Sequence, residues 1–343
     1  MSEAKVLFVG AGAIGASVAA WVAESYPAVF VMGRGETQAA LRKDGITTYA
    51  FGDPERTRRT VKVAVVDRAS EIGGVDIVVR AVKNYSLEAV ARQLRDELGD
   101  RPIVVSLANG IDNLRILPKL FNKAIYGVVA YNARRDAAGL IGYQHKGPLL
   151  IGTPDNTLRD ELTLVQSILA RGCPTEITQR LQDAVHTKIV INLSNALDAL
   201  VGRGWKPLSS LAIYQRLLSQ TLWEGVRVIR AAGYREHRIP GIPPFALIHA
   251  LALLPGWLTR PLFKRRLRGY EMGSMTQDVA LRGAHDTELE SITGYIVQLA
   301  ARHGVPAPYN KTIYRLGREK FRPGFQPLDC EQVLAAVERE QSA

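Results

Sequence analysis

A short glycine-rich run, GAGAIG, closes the first apolar stretch of the chain and opens a helix-compatible one, ASVAAWVAE. This is the setting a dinucleotide-binding turn requires. Gly10 permits a tight turn, Gly12 lets the backbone approach a pyrophosphate, and Gly15 lets the following helix pack closely on its strand. Ala11, Ala13 and Ile14 complete the turn, whose free N–H groups and positive helix end suit phosphate. The bland alternative is a turn of small residues with no ligand. At the end of the second β-rich run the chain reads MGRGE. Arg34 therefore stands where an NAD site would carry Asp or Glu for the ribose hydroxyls. A guanidinium pairs instead with the 2′-phosphate of NADP, unless Arg34 is simply an exposed loop arginine.

Three further places carry polar groups in apolar settings. Lys83 directly follows the run DIVVRAV, and Asn109 lies in LANG directly after IVVSL. Both sit at carboxyl ends of expected parallel strands, where ligands bind in open α/β sheets. Lys188 and Asn192 are four apart and Asn195 is three further on, which predicts one stripe on a helix otherwise filled by Ile189, Val190, Ile191, Leu193 and Leu197. A lysine and two amides there need partners, or form a solvated helix edge.

The elements that must hold these groups fall into two textures. Residues 5–10, 28–33, 61–66, 76–82, 103–107 and 124–131 are β-rich, mostly continuous apolar runs, the pattern of parallel strands buried on both faces. They predict an α/β, Rossmann-type doubly wound parallel sheet over residues 1–170. From about residue 155 the β-rich runs cease and segments with helical spacing follow one another. An all-helical domain is expected over 171–343. Length agrees, since 343 residues suit two cores better than one. Residues 239–268 are apolar, proline-rich and closed by Lys264, Arg265, Arg266 and Arg268. Their uninterrupted apolar stretch, broken at Pro255 and Gly256, is well under the roughly 20 apolar residues that span a bilayer. The expected reading is an elaboration packed on the helical domain; docking on a membrane surface is the other.

Composition narrows the classes. A net charge of +11 suits anionic small molecules, and its clusters lack the interleaved aromatics and module of a nucleic-acid surface. Cys173 and Cys330 lie far apart without histidine companions, which predicts neither a disulfide framework nor a metal site. No signal-peptide pattern precedes the first strand, so a cytoplasmic setting is expected.

Taken in order, GAGAIG, Arg34, VKNY at Lys83, LANG, YNARRD at 131–136, the Lys188 to Asn192 pair, SMTQDV from Ser274, TELESITG around Glu288 and GVPAPYN at 304–310 resemble the ketopantoate reductases over nearly the whole chain. The resemblance implies a Rossmann domain and a helical domain, with NADPH and 2-dehydropantoate meeting in the cleft between them. It implies reduction to pantoate, a step of pantothenate and coenzyme A biosynthesis, by a cytoplasmic monomer or homodimer. Lys188 matches the catalytic lysine that protonates the carbonyl oxygen. Glu288 matches a catalytic glutamate near substrate and cofactor, and Asn192 and Ser274 match residues holding the substrate's hydroxyl and carboxylate. Lys83, Asn109 and Ala133 match positions at the nicotinamide end, Asn109 also bordering the substrate.

Some positions depart from the family pattern. Its second amide lies eight residues after the lysine, where this chain has Ala196, with Asn195 one earlier. Its further asparagine has no counterpart in VGRGWKPL, and Ser274 stands two residues farther from Glu288. These changes bear on substrate identity more than on reaction class. The competing readings are a reductase of another 2-oxo acid, an opine-type dehydrogenase, and a non-catalytic NADP-binding sensor.

Overall fold

The computed structural model describes residues 3–82, 86–267, 272–283 and 287–342. Two compact units are present, Met1–Leu181 with Ile239–Gly241, and Gln182–Arg238 with Ile242–Ala343.

The first unit runs β1 (Val6–Val9), α1 (Ala13–Ala23), β2 (Val29–Met32), α2 (Gly35–Asp44), β3 (Ile46–Ala50), α3 (Pro54–Thr57), β4 (Arg59–Val61), β5 (Ala64–Val66), β6 (Ile77–Arg80), α4 (Leu87–Leu98), β7 (Ile103–Ser106), α5 (Asp112–Ile116) and β8 (Ala124–Val129). It continues with β9 (Ala133–Ala137), β10 (Leu140–Tyr143), β11 (Leu149–Gly152), α6 (Arg159–Leu169) and β12 (Thr175–Ile177). Eight strands form one sheet in the order β12-β11-β8-β7-β6-β1-β2-β5. All pairs are parallel except β8 with β11. The chain winds outward from β1 through β2 to β5, then returns to β6 and winds the other way. The order thus reverses between β1 and β6, where an open α/β sheet places its ligand. Alternate residues Val6, Phe8, Ile77, Val79, Ile103 and Val105 share a core with Val18, Trp21 and Val22 of α1.

Three expectations need correction. The run 61–66 is not one strand: it divides between β4 and β5, which lie in different sheets. Lys62 and Val63 carry the chain from one to the other. A second sheet, β4-β3-β10-β9, was not anticipated, because its strands mix Thr, Arg and Tyr with apolar residues rather than running apolar throughout. Strands also do not cease at 155, since β12 extends the main sheet beyond β11.

The second unit carries helices and no named strand among the described residues: α7 (Leu181–Asn192), α8 (Ser194–Val201), α9 (Leu211–Ala231), α10 (Phe245–Leu253), α11 (Gly256–Leu267), α12 (Ser274–Arg282), α13 (Tyr295–Arg302), α14 (Pro308–Lys320) and α15 (Cys330–Ser342). Its core gathers Leu197, Leu200, Tyr214, Leu217, Met275, Ile313 and Val333. The motif GVPAPYN is structural here. Glu224 of α9 accepts the backbone N–H groups of Tyr309 and Asn310 at 3.0 and 2.9 Å, meeting free donors of the first turn of α14. Within 239–268, Phe245, Ile248 and Phe263 are buried, while the tip between α10 and α11 is exposed.

Candidate active site

The glycine turn sits at the β1/β6 reversal. Gly10 has φ of +97°, and a Cβ there would meet Val82 and the Ala81 carbonyl at 2.7 and 2.9 Å. A Cβ on Gly15 would lie 2.0 Å from the Gly10 carbonyl, so only glycine lets α1 start this close to its own turn. Gly12 is different. A Cβ on it would meet nothing within 4 Å, so the backbone at the head of α1 faces open space. The N–H of Ala16 bonds the Gly12 carbonyl, the first bond of the helix, and the preceding N–H groups are those the helix cannot satisfy itself. Open space, unspent donors and the positive helix end together fit a pyrophosphate.

Arg34 begins two residues beyond β2, in extended conformation at the N-cap of α2. It is exposed, and its Nη2 donates a long bond of 3.4 Å to Gln93. Asn109 lies in the turn after β7, and Ala133 opens β9. Tyr131, two residues earlier, is buried and shares a 3.0 Å hydroxyl bond with Ser17 of α1. The YNARRD motif is thereby anchored to the helix that the glycine turn starts. Lys83 lies outside the described residues; the turn abuts Ala81 and Val82 just before it.

Sequence reasoning missed Arg80, hidden inside an apolar run. It is fully buried on β6, and its Nη2 donates to Ser106 Oγ of β7 at 2.6 Å. Asn113 Nδ2 reaches the same oxygen at 3.3 Å and the Ala108 carbonyl at 3.2 Å. A hydrogen-bonded chain thus runs from the end of β6 to the turn that carries Asn109. Nε and Nη1 of Arg80 have no partner among the described residues, and burial pushes the guanidinium down to about 10. The missed signal was the sole charge in IVVR.

In the second unit, α7 is buried almost all round, with Ala184, Val185, His186, Thr187, Ile189, Val190 and Asn192 all buried. Lys188 and Ile191 are the partly exposed positions between them. The Lys188 ammonium makes no hydrogen bond or ion pair among the described residues, and burial alone pushes it down to about 8. Asn192 lies one turn further along the same helix. Asn195 does not share that helix: α7 ends at Asn192 and α8 starts at Ser194. The two helices meet at Leu193, where Ser194 Oγ donates to the Ile191 carbonyl at 2.9 Å. Asn195 instead lies on α8, against which α12 packs with Ser274 as its first residue. Glu288 is buried immediately before the helix that passes through a π turn at Glu290–Gly294 into α13.

His186 joins these elements. Its Nδ1 lies 2.7 Å from the Gln182 carbonyl, which fixes the proton there, so Nε2 accepts from the Tyr295 hydroxyl at 2.8 Å. The ring also stacks on Tyr234 at 3.4 Å. Burial pushes His186 down to about 4, so it is neutral at pH 7. The helix carrying Lys188 is thus tied to the helix headed by Glu288, by a pair 109 residues apart that no local spacing reveals.

Two family models match successive parts of the chain. The family model for ketopantoate reductase PanE/ApbA matches residues 6–156, and that for the PanE/ApbA C-terminal domain matches residues 180–321. A 2-dehydropantoate 2-reductase of Halobacterium salinarum is 26% identical over 325 residues, covering 93% of this chain and 100% of that protein. Among solved structures, 2-dehydropantoate 2-reductase from Geobacter metallireducens aligns with a TM-score of 0.74 at 20% identity, over 92% of this chain and 99% of the other. D-mandelate dehydrogenase, solved with NADH and anilino(oxo)acetate, aligns with a TM-score of 0.72 at 16% identity, over 98% and 99%.

Proposed function

The chain belongs to the ketopantoate reductase family, oxidoreductases acting on a CH–OH group, and we propose that it uses NADPH to reduce the ketone of 2-dehydropantoate to pantoate. The carrying observation is Lys188: an ammonium without a partner among the described residues, on a largely buried helix, pushed down by burial to about 8.

Bound nicotinamide supplies the hydride. The residues do the rest. Gly10, Ala11, Gly12, Ala13, Ile14 and Gly15 receive the pyrophosphate at the head of α1, and Arg34 pairs with the 2′-phosphate. Lys83, Asn109 and Ala133 serve the nicotinamide end. As hydride reaches the carbonyl carbon, negative charge develops on its oxygen, and Lys188 stabilises that charge and donates the proton that completes the alcohol. An acid near 8 is protonated at neutral pH yet gives up its proton readily, which an ordinary lysine does not. Asn192 and Ser274 hold the substrate's hydroxyl and carboxylate, Asn195 assists from α8, and Glu288 orients the substrate beside the lysine. A cytoplasmic monomer or homodimer completes the reading.

A second reading rests on the likeness to D-mandelate dehydrogenase and on Ala196 standing where the family carries an amide. It makes the substrate an aromatic 2-oxo acid. Steady-state NADPH and NADH oxidation with 2-dehydropantoate, shorter aliphatic 2-oxo acids and phenylglyoxylate separates the two. Highest kcat/KM for 2-dehydropantoate with NADPH is the expected result; preference for phenylglyoxylate would transfer the assignment to the second reading, and no oxidation with any of them would remove both.

A further inference from the structure

The hairpin of α10 and α11 holds an apolar tip out of the core. All six residues at 253–258, LLPGWL, are exposed. Leu253 is 64% exposed, Trp257 73% and Leu258 53%, and Leu254 and Leu262 are also open. Eight large apolar side chains are exposed among the described residues, and five of them fall in these ten positions, so this is a patch rather than scatter. The hairpin is not loose at its base. Phe245, Ile248 and Phe263 are buried, Gln215 of α9 donates to Thr259 Oγ1 at 2.6 Å, and Gln220 donates to the Ala252 carbonyl at 2.8 Å. The fold anchors one side of the hairpin on α9 and leaves the other uncovered.

Charge identifies what covers it. Between Glu236 and Glu271 the chain contains no acidic residue, while Arg238, Arg260, Lys264, Arg265, Arg266 and Arg268 all fall there. Lys264 and Arg265 are exposed one to two turns beyond Trp257 and Leu258. A second copy of the chain suits this face poorly, because a twofold contact would set the two basic groups against each other. An anionic bilayer satisfies both halves, taking the apolar tip at the headgroup boundary and the cations at its phosphates. Tryptophan is the side chain most at home at that depth. No helix among the described residues is long and apolar enough to cross a membrane, so the hairpin would lie in one leaflet.

We propose that the α10–α11 hairpin is a lipid-docking tip, in which Leu253, Leu254, Trp257, Leu258 and Leu262 enter the interface of an anionic leaflet and Arg260, Lys264 and Arg265 contact its phosphates. The proposal does not depend on the reductase reading. The experiment is flotation of the full chain with vesicles of equal parts phosphatidylglycerol and phosphatidylcholine, and with vesicles of phosphatidylcholine alone. The parent co-floats with the anionic vesicles and falls off as salt is raised. The double variant Trp257→Ser, Leu258→Ser floats about tenfold less while melting at the parent's temperature, and Lys264→Glu with Arg265→Glu loses the preference for phosphatidylglycerol. A parent that stays unbound to either vesicle, or a serine variant that floats as well as the parent, overturns the proposal. So does a serine variant whose sedimentation shows a dimer become a monomer, which would assign the patch to a second copy.

Discussion

As the proposed proton donor, Lys188 would act only while protonated. Its ammonium is pushed down to about 8, so reduction should slow as pH rises through that value, and the pH profile of kcat checks this. The same burial affects stability. The folded chain releases this proton near 8 and the unfolded chain near the ordinary 10.5, so the unfolded state holds more protons between them and stability rises with pH across that window. At pH 7 the buried charge is a burden. Lys188→Met should therefore raise stability by roughly 1–2 kcal/mol, less than a fully buried charge would because the side chain is partly exposed. An unchanged urea midpoint would mean the ammonium is well solvated. Arg80 gives a parallel test of charge against volume. Arg80→Met removes a buried cation and keeps most of the bulk, and is expected to unfold at the parent's urea concentration or higher. Arg80→Ala also leaves a cavity and should lose about 2–5 kcal/mol. Equal losses in both would show that the bond to Ser106, rather than packing, holds the end of β6. The packing reasons for Gly10 and Gly15 were legible in GAGAIG because a turn motif is local. Arg80 and Ser106 were not, because strand pairing brings together residues 26 apart in sequence.

Elements within mostly apolar runs were legible, as β1, β2, β7 and β8 were. The small second sheet was not, because its strands mix Thr, Arg and Tyr with apolar residues. Nor was the break after Asn192, since helical spacing continues through Leu193. Its consequence is measurable: Asn192→Ala should raise KM for the 2-oxo acid by about tenfold and Asn195→Ala by much less, on the usual scale for losing a substrate hydrogen bond. Similar increases would place both amides on the substrate despite the break. The tie between α7 and α13 has its own pH signature. His186 titrates near 4 when folded and near 6.5 when unfolded, so the unfolded state takes up the proton first as pH falls. Stability is lost progressively from about pH 6.5 to pH 4, by about 3 kcal/mol at most from this group. His186→Phe should flatten that part of the pH–stability curve while lowering stability at pH 7. A curve as steep as the parent's would place the acid sensitivity elsewhere.

For the whole molecule, two units and their order followed from the change of texture along the chain, and the net charge of +11 pointed to anionic ligands. What composition left out was distribution, because an apolar segment reads alike whether its tip is packed or exposed. Cofactor choice belongs at this scale, since it joins one arginine to the reaction's supply of electrons. Arg34→Asp should weaken NADPH binding strongly and NADH binding little; equal losses would mean that Arg34 does not meet the 2′-phosphate. The central claim is that Lys188 donates the proton during NADPH-dependent reduction of a 2-oxo acid. The most direct measurement is single-turnover reduction of 2-dehydropantoate with NADPH by the parent, Lys188→Ala and Lys188→Arg, with NADPH affinity measured alongside. Rates about 100-fold or more below the parent in both variants, at unchanged NADPH affinity, are predicted, because arginine keeps the charge but holds its proton at neutral pH. Reduction at the parent's rate by either variant would contradict the account.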